Sequence, residues 1–148
     1  MLDGVALPYP GARAVLLEFW ETDFPTSIDR LLARLRRDGL VPVIAHPERY
    51  RAIWRAPETL ERLLDVGAAA LLDTSALVGK YGKQAQRSAE RLLEAGYYQA
   101  ACSDSHRPSD LSSVAAGMEF IRRHYGADEV QTLFAEGPRQ ILQGQVVA

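Results

Sequence analysis

Short apolar runs alternate with longer amphipathic ones along almost the whole chain. The runs Ala14–Phe19, Val41–Ala45, Ala69–Leu72 and Tyr98–Cys102 have the length and character of strands. Between them, apolar positions recur at helical spacing. Ile28, Leu31, Leu32 and Leu35 fall on one face of a helix predicted over Ser27–Asp38, with Thr26 as its N-cap and Gly39 as its stop. Further helices are predicted over Pro57–Asp65, with proline in the first turn, over Lys83–Glu94 ahead of Gly96, and over Leu111–His124, Ala127–Phe134 and Pro138–Leu142. The strand runs are apolar throughout and do not alternate with polar residues. Strands covered on both faces look like this, as in a parallel sheet or barrel. Repetition of the βα unit, at roughly 30 residues a unit, makes the fold class α/β.

Composition narrows the picture without changing it. The 148 residues are 47% hydrophobic and 24% charged, ordinary values for one compact domain. The formal net charge is −2 and no block of like charge occurs, so non-specific nucleic-acid binding has no support. Arg34, Arg36 and Arg37 read as the solvated face of a helix. A single cysteine, Cys102, excludes a disulfide framework within the chain and points to a reducing, cytoplasmic compartment. The apolar runs fall far short of the roughly 20 residues of a membrane span. Met1-Leu2-Asp3-Gly4 lacks the basic-then-apolar pattern of a signal peptide.

Candidate chemistry lies at the strand ends, where parallel α/β folds bind their ligands. The first strand delivers Glu18 and the second His46, where Pro47 stops the ladder. The third ends in Asp73-Thr74-Ser75 and the fourth in Ser103-Asp104-Ser105-His106. Each residue alone fits a plainer role: a loop glutamate, a satisfied core histidine, an aspartate capping the next helix. Together they place imidazoles and carboxylates on one rim, with Asp104 and His106 expected on the same side of an extended segment. Such a donor set suits Zn²⁺, Mn²⁺ or Fe²⁺ rather than Ca²⁺. His124 reads as a surface residue near a helix C-terminus. Cys102 reads as strand packing rather than as a nucleophile. Trp20 and Trp54 read as core or rim packing.

The segments Ala45-His46-Pro47-Glu48-Arg49-Tyr50, Leu16-Leu17-Glu18-Phe19, Gly79-Lys80-Tyr81-Gly82-Lys83, Ser103-Asp104-Ser105-His106 and Glu136-Gly137-Pro138 with Ile141-Leu142 occur in order over about residues 14–144. This set resembles the PHP-domain protein-tyrosine phosphatases of bacterial capsule and exopolysaccharide loci. The resemblance implies a distorted (β/α)₇ barrel with a divalent metal cluster, Mn²⁺ foremost, at its C-terminal face. It implies Glu18, His46, Asp104 and His106 as metal ligands and Arg49 as a holder of the substrate phosphate. It further implies hydrolysis of phosphotyrosine by metal-activated water, on a protein substrate such as an autophosphorylated tyrosine kinase of the same locus. Two features depart from the pattern. Such domains open with a His-x-His strand, whereas no histidine precedes His46 here. A further arginine usually follows the Asp-x-His pair; Arg107 is the arginine near that position and the candidate for its role.

The reading is therefore of a single domain over residues 1–148, the C-terminal βα units of a PHP barrel. Two other readings stand beside it. One is a non-catalytic module that binds metal weakly and self-associates as a homo-oligomer through a raw sheet edge at its first strand. The other is a PHP phosphoesterase with a different substrate, such as histidinol phosphate.

Overall fold

The structure, a computed structural model, describes residues 7–11, 13–19 and 23–146. Trp20 lies outside them. Five strands form one sheet in the order β1-β2-β3-β4-β5: β1 (Leu7–Pro8), β2 (Ala14–Leu17), β3 (Val41–Ala45), β4 (Ala69–Asp73) and β5 (Ala100–Cys102). β2 to β5 are parallel neighbours, as the βα alternation predicts. The connections carry α1 (Ile28–Arg37), α2 (Arg51–Arg55), α3 (Glu58–Asp65) and α4 (Lys83–Glu94). The chain closes with α5 (Leu111–Tyr125), α6 (Ala127–Gln131), a π-turn over Thr132–Glu136 and α7 (Gly137–Leu142). Among the described residues no helix is long and apolar enough to cross a membrane.

Burial explains why the strand runs do not alternate. One sheet face, with Val15, Leu17, Ile44, Ala70, Leu72 and Ala101, packs into the main core alongside Ile28 and Leu32 of α1 and Leu92 of α4. The other face, with Ala14, Val41, Val43, Ala69 and Ala100, packs against Ile141 of α7. Every residue of β3 is buried. The α5 helix approaches the turn after β4 so closely that a Cβ on Gly117 would stand 2.2 Å from the Thr74 carbonyl oxygen.

Four expectations are corrected. Ser27, not Thr26, occupies the N-cap of α1, and it makes no side-chain capping bond. The first strand ends at Leu17, so Glu18 and Phe19 lie beyond it. The helix expected over Ala127–Phe134 gives way to the π-turn at Thr132. The edge of β2 is not raw: β1 pairs with it antiparallel, Leu7 opposite Leu16 and Pro8 opposite Val15. This hairpin takes up two of the four β2 positions on which the self-association argument rested.

Candidate functional site

The carboxyl ends of β2, β3 and β5 open onto a cleft of about 310 Å³ lined by Glu18, Arg49, Lys80, Tyr81, Asp104, His106, Arg107 and Asp110. Glu18 leaves β2 directly into it. At the end of β3 the His46 amide still bonds to the Leu71 carbonyl at 2.8 Å. The backbone then turns into the left-handed region (φ 34°), and Pro47–Arg49 form a 3₁₀ turn. This turn buries His46 and Glu48 while sending Arg49 toward the cleft. Among the described residues only His46 and Asp104 (φ 42°) are non-glycine residues at positive φ. Both are predicted ligands. Local strain of this kind persists where surrounding structure enforces it, typically at functional sites.

Two of the predicted ligands are in direct side-chain contact. Glu18 Oε1 lies 2.9 Å from His46 Nε2. Asp104 Oδ2 accepts a 2.9 Å bond from Arg49 Nη1. His106 is exposed, and its Nδ1 lies 2.9 Å from the Asp104 backbone oxygen. The positive φ of Asp104 departs from the extended segment that the spacing suggests, and the His106 ring bonds back to the Asp104 main chain. Among the described residues no three His, Cys, Asp or Glu side chains converge closely enough to hold an ion. The donor chemistry nonetheless suits a divalent transition metal. Glu18 and His46 are already adjacent, and Glu18, Asp104 and His106 line the same cleft. His46 Nδ1 is buried with no hydrogen-bond partner among the described residues, which marks a side chain whose polar needs the protein alone leaves unmet.

Four side chains besides the predicted ligands shape the site. Tyr50 lies beside the His46 ring, with centroids 6.0 Å apart, and its hydroxyl accepts the Phe19 N–H at 3.1 Å, pinning the segment that carries Glu18. Burial pushes the Tyr50 phenol up to about 12. Glu48 is fully buried; its carboxyl accepts the Asp73 N–H at 3.0 Å and the Tyr98 hydroxyl at 2.9 Å, and burial pushes it up to about 8. It thereby ties the turn after β3 to β4 and to the approach to β5. Trp54 donates its indole N–H to the Glu48 backbone oxygen at 2.6 Å, so it buttresses the same turn. Asp110 accepts the N–H groups of His106 and Arg107, both at 3.1 Å, and pairs with Lys80 at 3.0 Å. The Lys80 contact and those amides hold its carboxyl below the usual range.

Asp73, at the end of β4, serves the scaffold: its Oδ1 accepts the Ser75 N–H at 2.9 Å beneath the cleft. Cys102 is pushed up to about 12 by burial, as its reading as a packing residue requires. His124 is exposed and stacks on Phe120 at 4.1 Å, as a surface residue.

Comparisons with known proteins follow the same outline. The family model "Capsular polysaccharide synthesis, CpsB/CapC" matches residues 3–143. Tyrosine-protein phosphatase YwqE of Bacillus subtilis is 30% identical over 136 residues, covering 91% of this chain and 53% of that protein. Tyrosine-protein phosphatase CpsB of Streptococcus pneumoniae is 27% identical over 142 residues, covering 92% of this chain and 58% of that protein. A solved structure of this group, described as unique metal-dependent tyrosine phosphatases from those two organisms, superposes with a TM-score of 0.73 at 29% identity. It covers 84% of this chain and 51% of that one. The chain spans about half the length of the curated relatives it matches.

Proposed function

Since the chain belongs to the capsular polysaccharide synthesis CpsB/CapC family, we propose that residues 1–148 form one domain carrying the metal- and phosphate-binding half of a protein-tyrosine phosphatase. Its substrate is a phosphotyrosine protein of a capsule or exopolysaccharide locus, an autophosphorylated tyrosine kinase of that locus foremost, and it acts in the cytoplasm. The observation that carries this reading is the cleft itself, where three strand ends bring Glu18, Asp104 and His106 beside Arg49, with His46 bonded to Glu18.

In this reading Glu18, His46, Asp104 and His106 hold a divalent metal, Mn²⁺ foremost. The metal supplies Lewis acidity and activation of water. The remaining work falls to side chains of this chain. Arg49 presents a planar fork that matches two phosphate oxygens and offsets the charge developing on them. Its pairing with Asp104 and its position over the Tyr81 ring fix the direction of that fork. Arg107, which also lines the cleft, adds positive charge for substrate approach. Tyr50 keeps the Glu18 segment in place through the Phe19 amide. The test is Mn²⁺-dependent hydrolysis of p-nitrophenyl phosphate by the purified protein and by His46→Ala. The expected outcome is loss of turnover in the variant; equal rates refute the assignment.

A second reading, a module that binds metal weakly without turnover, is favoured by one observation. Of the candidate ligands Glu18 and His46 touch through their side chains, and among the described residues no three close on one point. Mn²⁺ binding without hydrolysis is the outcome that selects it.

A further inference from the structure

Of the cleft residues, Lys80 has no part in the assignments above and Tyr81 only that of orienting Arg49. They stand on a turn bracketed by Gly79 (φ 81°) and Gly82 (φ 89°), conformations open chiefly to glycine. Backbone bonds close this turn: Gly79 N–H to Ala76 O at 3.0 Å, Lys80 N–H to Ser75 O at 3.2 Å and Gly82 N–H to Gly79 O at 3.0 Å. The placement of both side chains is thus set by the main chain, after the 3₁₀ turn Thr74–Val78 that follows β4.

The Tyr81 ring is the meeting point of two cations. Arg49 Cζ lies 4.4 Å from its centroid and Lys80 Nζ 5.4 Å, both within the range where a ring face attracts positive charge. Each cation also leans on one carboxylate, Arg49 on Asp104 and Lys80 on Asp110. All four partners line the cleft. Ion pairs at partly exposed positions are weak, because water screens them and long side chains lose freedom in making them. A phosphoryl dianion offers more charge and more acceptor oxygens than either carboxylate. Lysine also has three donors, so it can keep Asp110 and reach an incoming oxygen at once.

We propose that Lys80 and Arg49, seated together on the Tyr81 ring, form a two-cation clamp for the phosphoryl group of a phosphomonoester, with Lys80 as a substrate-binding residue. This inference rests on reading the cleft as a phosphomonoester site. Arg49 fixes the orientation of the group through its fork, and Lys80 adds a mobile point charge on the β4 side. Tyr81 is a positioning residue, since it holds both cations without meeting the phosphate.

The competing role for Lys80 is structural: its pair with Asp110 straps the Gly79–Gly82 turn to the loop bearing His106. The two roles separate in a titration of phenyl phosphate, with phenol as the ring-only control, into the isotope-labelled protein followed by NMR. The dissociation constant of Lys80→Gln is expected to rise about tenfold, the size of one lost charge-assisted bond. Lys80→Arg is expected within about threefold of the wild type on the same scale, because the charge is kept. Tyr81→Leu is expected to weaken binding as much as Lys80→Gln, and phenol not to bind. Asp110→Asn neutralises the strap but leaves the ammonium, and its amide oxygen can still accept the His106 and Arg107 N–H groups, so its binding stays at or above that of the wild type. The proposal is overturned if Lys80→Gln binds as the wild type does, if Asp110→Asn loses affinity in step with Lys80→Gln, or if the wild type gives no saturable binding. Mn²⁺ binding recorded on the same samples keeps the two readings apart. Phenyl phosphate held through Lys80 without any Mn²⁺ binding sinks the metal reading alone. Mn²⁺ binding with no effect of Lys80→Gln sinks the clamp alone.

Discussion

Replacing Glu48 by alanine should destabilise the domain more than any change on the cleft surface. The side chain is fully buried and has two buried partners, the Asp73 N–H at 3.0 Å and the Tyr98 hydroxyl at 2.9 Å. Truncation leaves both donors without an acceptor. Each orphaned buried group costs about 1–3 kcal/mol. The vacated side-chain volume adds about 1 kcal/mol of lost packing. The sum, about 3–7 kcal/mol, rivals the whole stability of a typical domain, about 5–15 kcal/mol. Glu48→Gln retains an acceptor and nearly the same shape, and the Tyr98 hydroxyl can rotate to suit it, so its cost is expected near 1 kcal/mol. Tyr98→Phe removes one donor; combined with Glu48→Ala it should recover about 1–2 kcal/mol relative to the sum of the single changes, since a shared contact is lost only once. Urea denaturation followed by circular dichroism, with the slope of the transition compared across variants, measures all four. A Glu48→Ala variant within about 1 kcal/mol of the wild type, or strict additivity with Tyr98→Phe, would refute the reasoning.

Three further outcomes are expected. Gly117→Ala should cost about 3 kcal/mol or more in the same assay, because the added Cβ would stand 2.2 Å from the Thr74 carbonyl oxygen and 2.8 Å from its carbon, both backbone atoms. Alkylation of Cys102 by iodoacetamide at pH 8 should run on the order of a thousandfold slower than for an unperturbed thiol, because burial pushes its thiol up to about 12; rapid labelling of the native protein contradicts this. Glu119 is held down to about 2 by hydrogen bonds from Arg122 and Arg123. Its folded-state value lies below its unfolded one, so its stabilising contribution is present above about pH 4.5 and fades as pH falls toward 2. Thermal melts of Glu119→Gln should therefore lie below the wild type near neutral pH, converge with it in acid, and close much of the gap in high salt.

The parts of the fold visible in the sequence are those governed by local rules. The ends of β3 and α4 agree with expectation because Pro47 stops the one and Gly96 the other. Glu18, His46, Asp104 and His106 were legible as strand-end residues, and the ladder of β2 to β5 delivers them to one rim. What was not legible depends on distant partners. β1 is two residues long and contains proline; only the presence of β2 makes it a strand. The 3₁₀ turn at Pro47–Arg49 and the positive φ of His46 and Asp104 follow from tertiary packing, which no local propensity encodes. Glu48 stood inside a recognised motif, yet a charged residue is read as exposed until its buried partners, 25 and 50 positions away, are known. The meeting of Lys80, Tyr81 and Arg49 is long-range in the same way. The glycines at 79 and 82 were its only local signal.

The central claim is that the side chains delivered by β2, β3 and β5 constitute one metal site. Calorimetric titration of Mn²⁺ into the wild type, His46→Ala and Asp104→Ala tests it most directly. The account predicts saturable binding by the wild type, lost or weakened at least tenfold in each variant, since Asp104 lines the cleft and His46 bonds to Glu18 at its wall. Mn²⁺ binding left intact in both variants would contradict it.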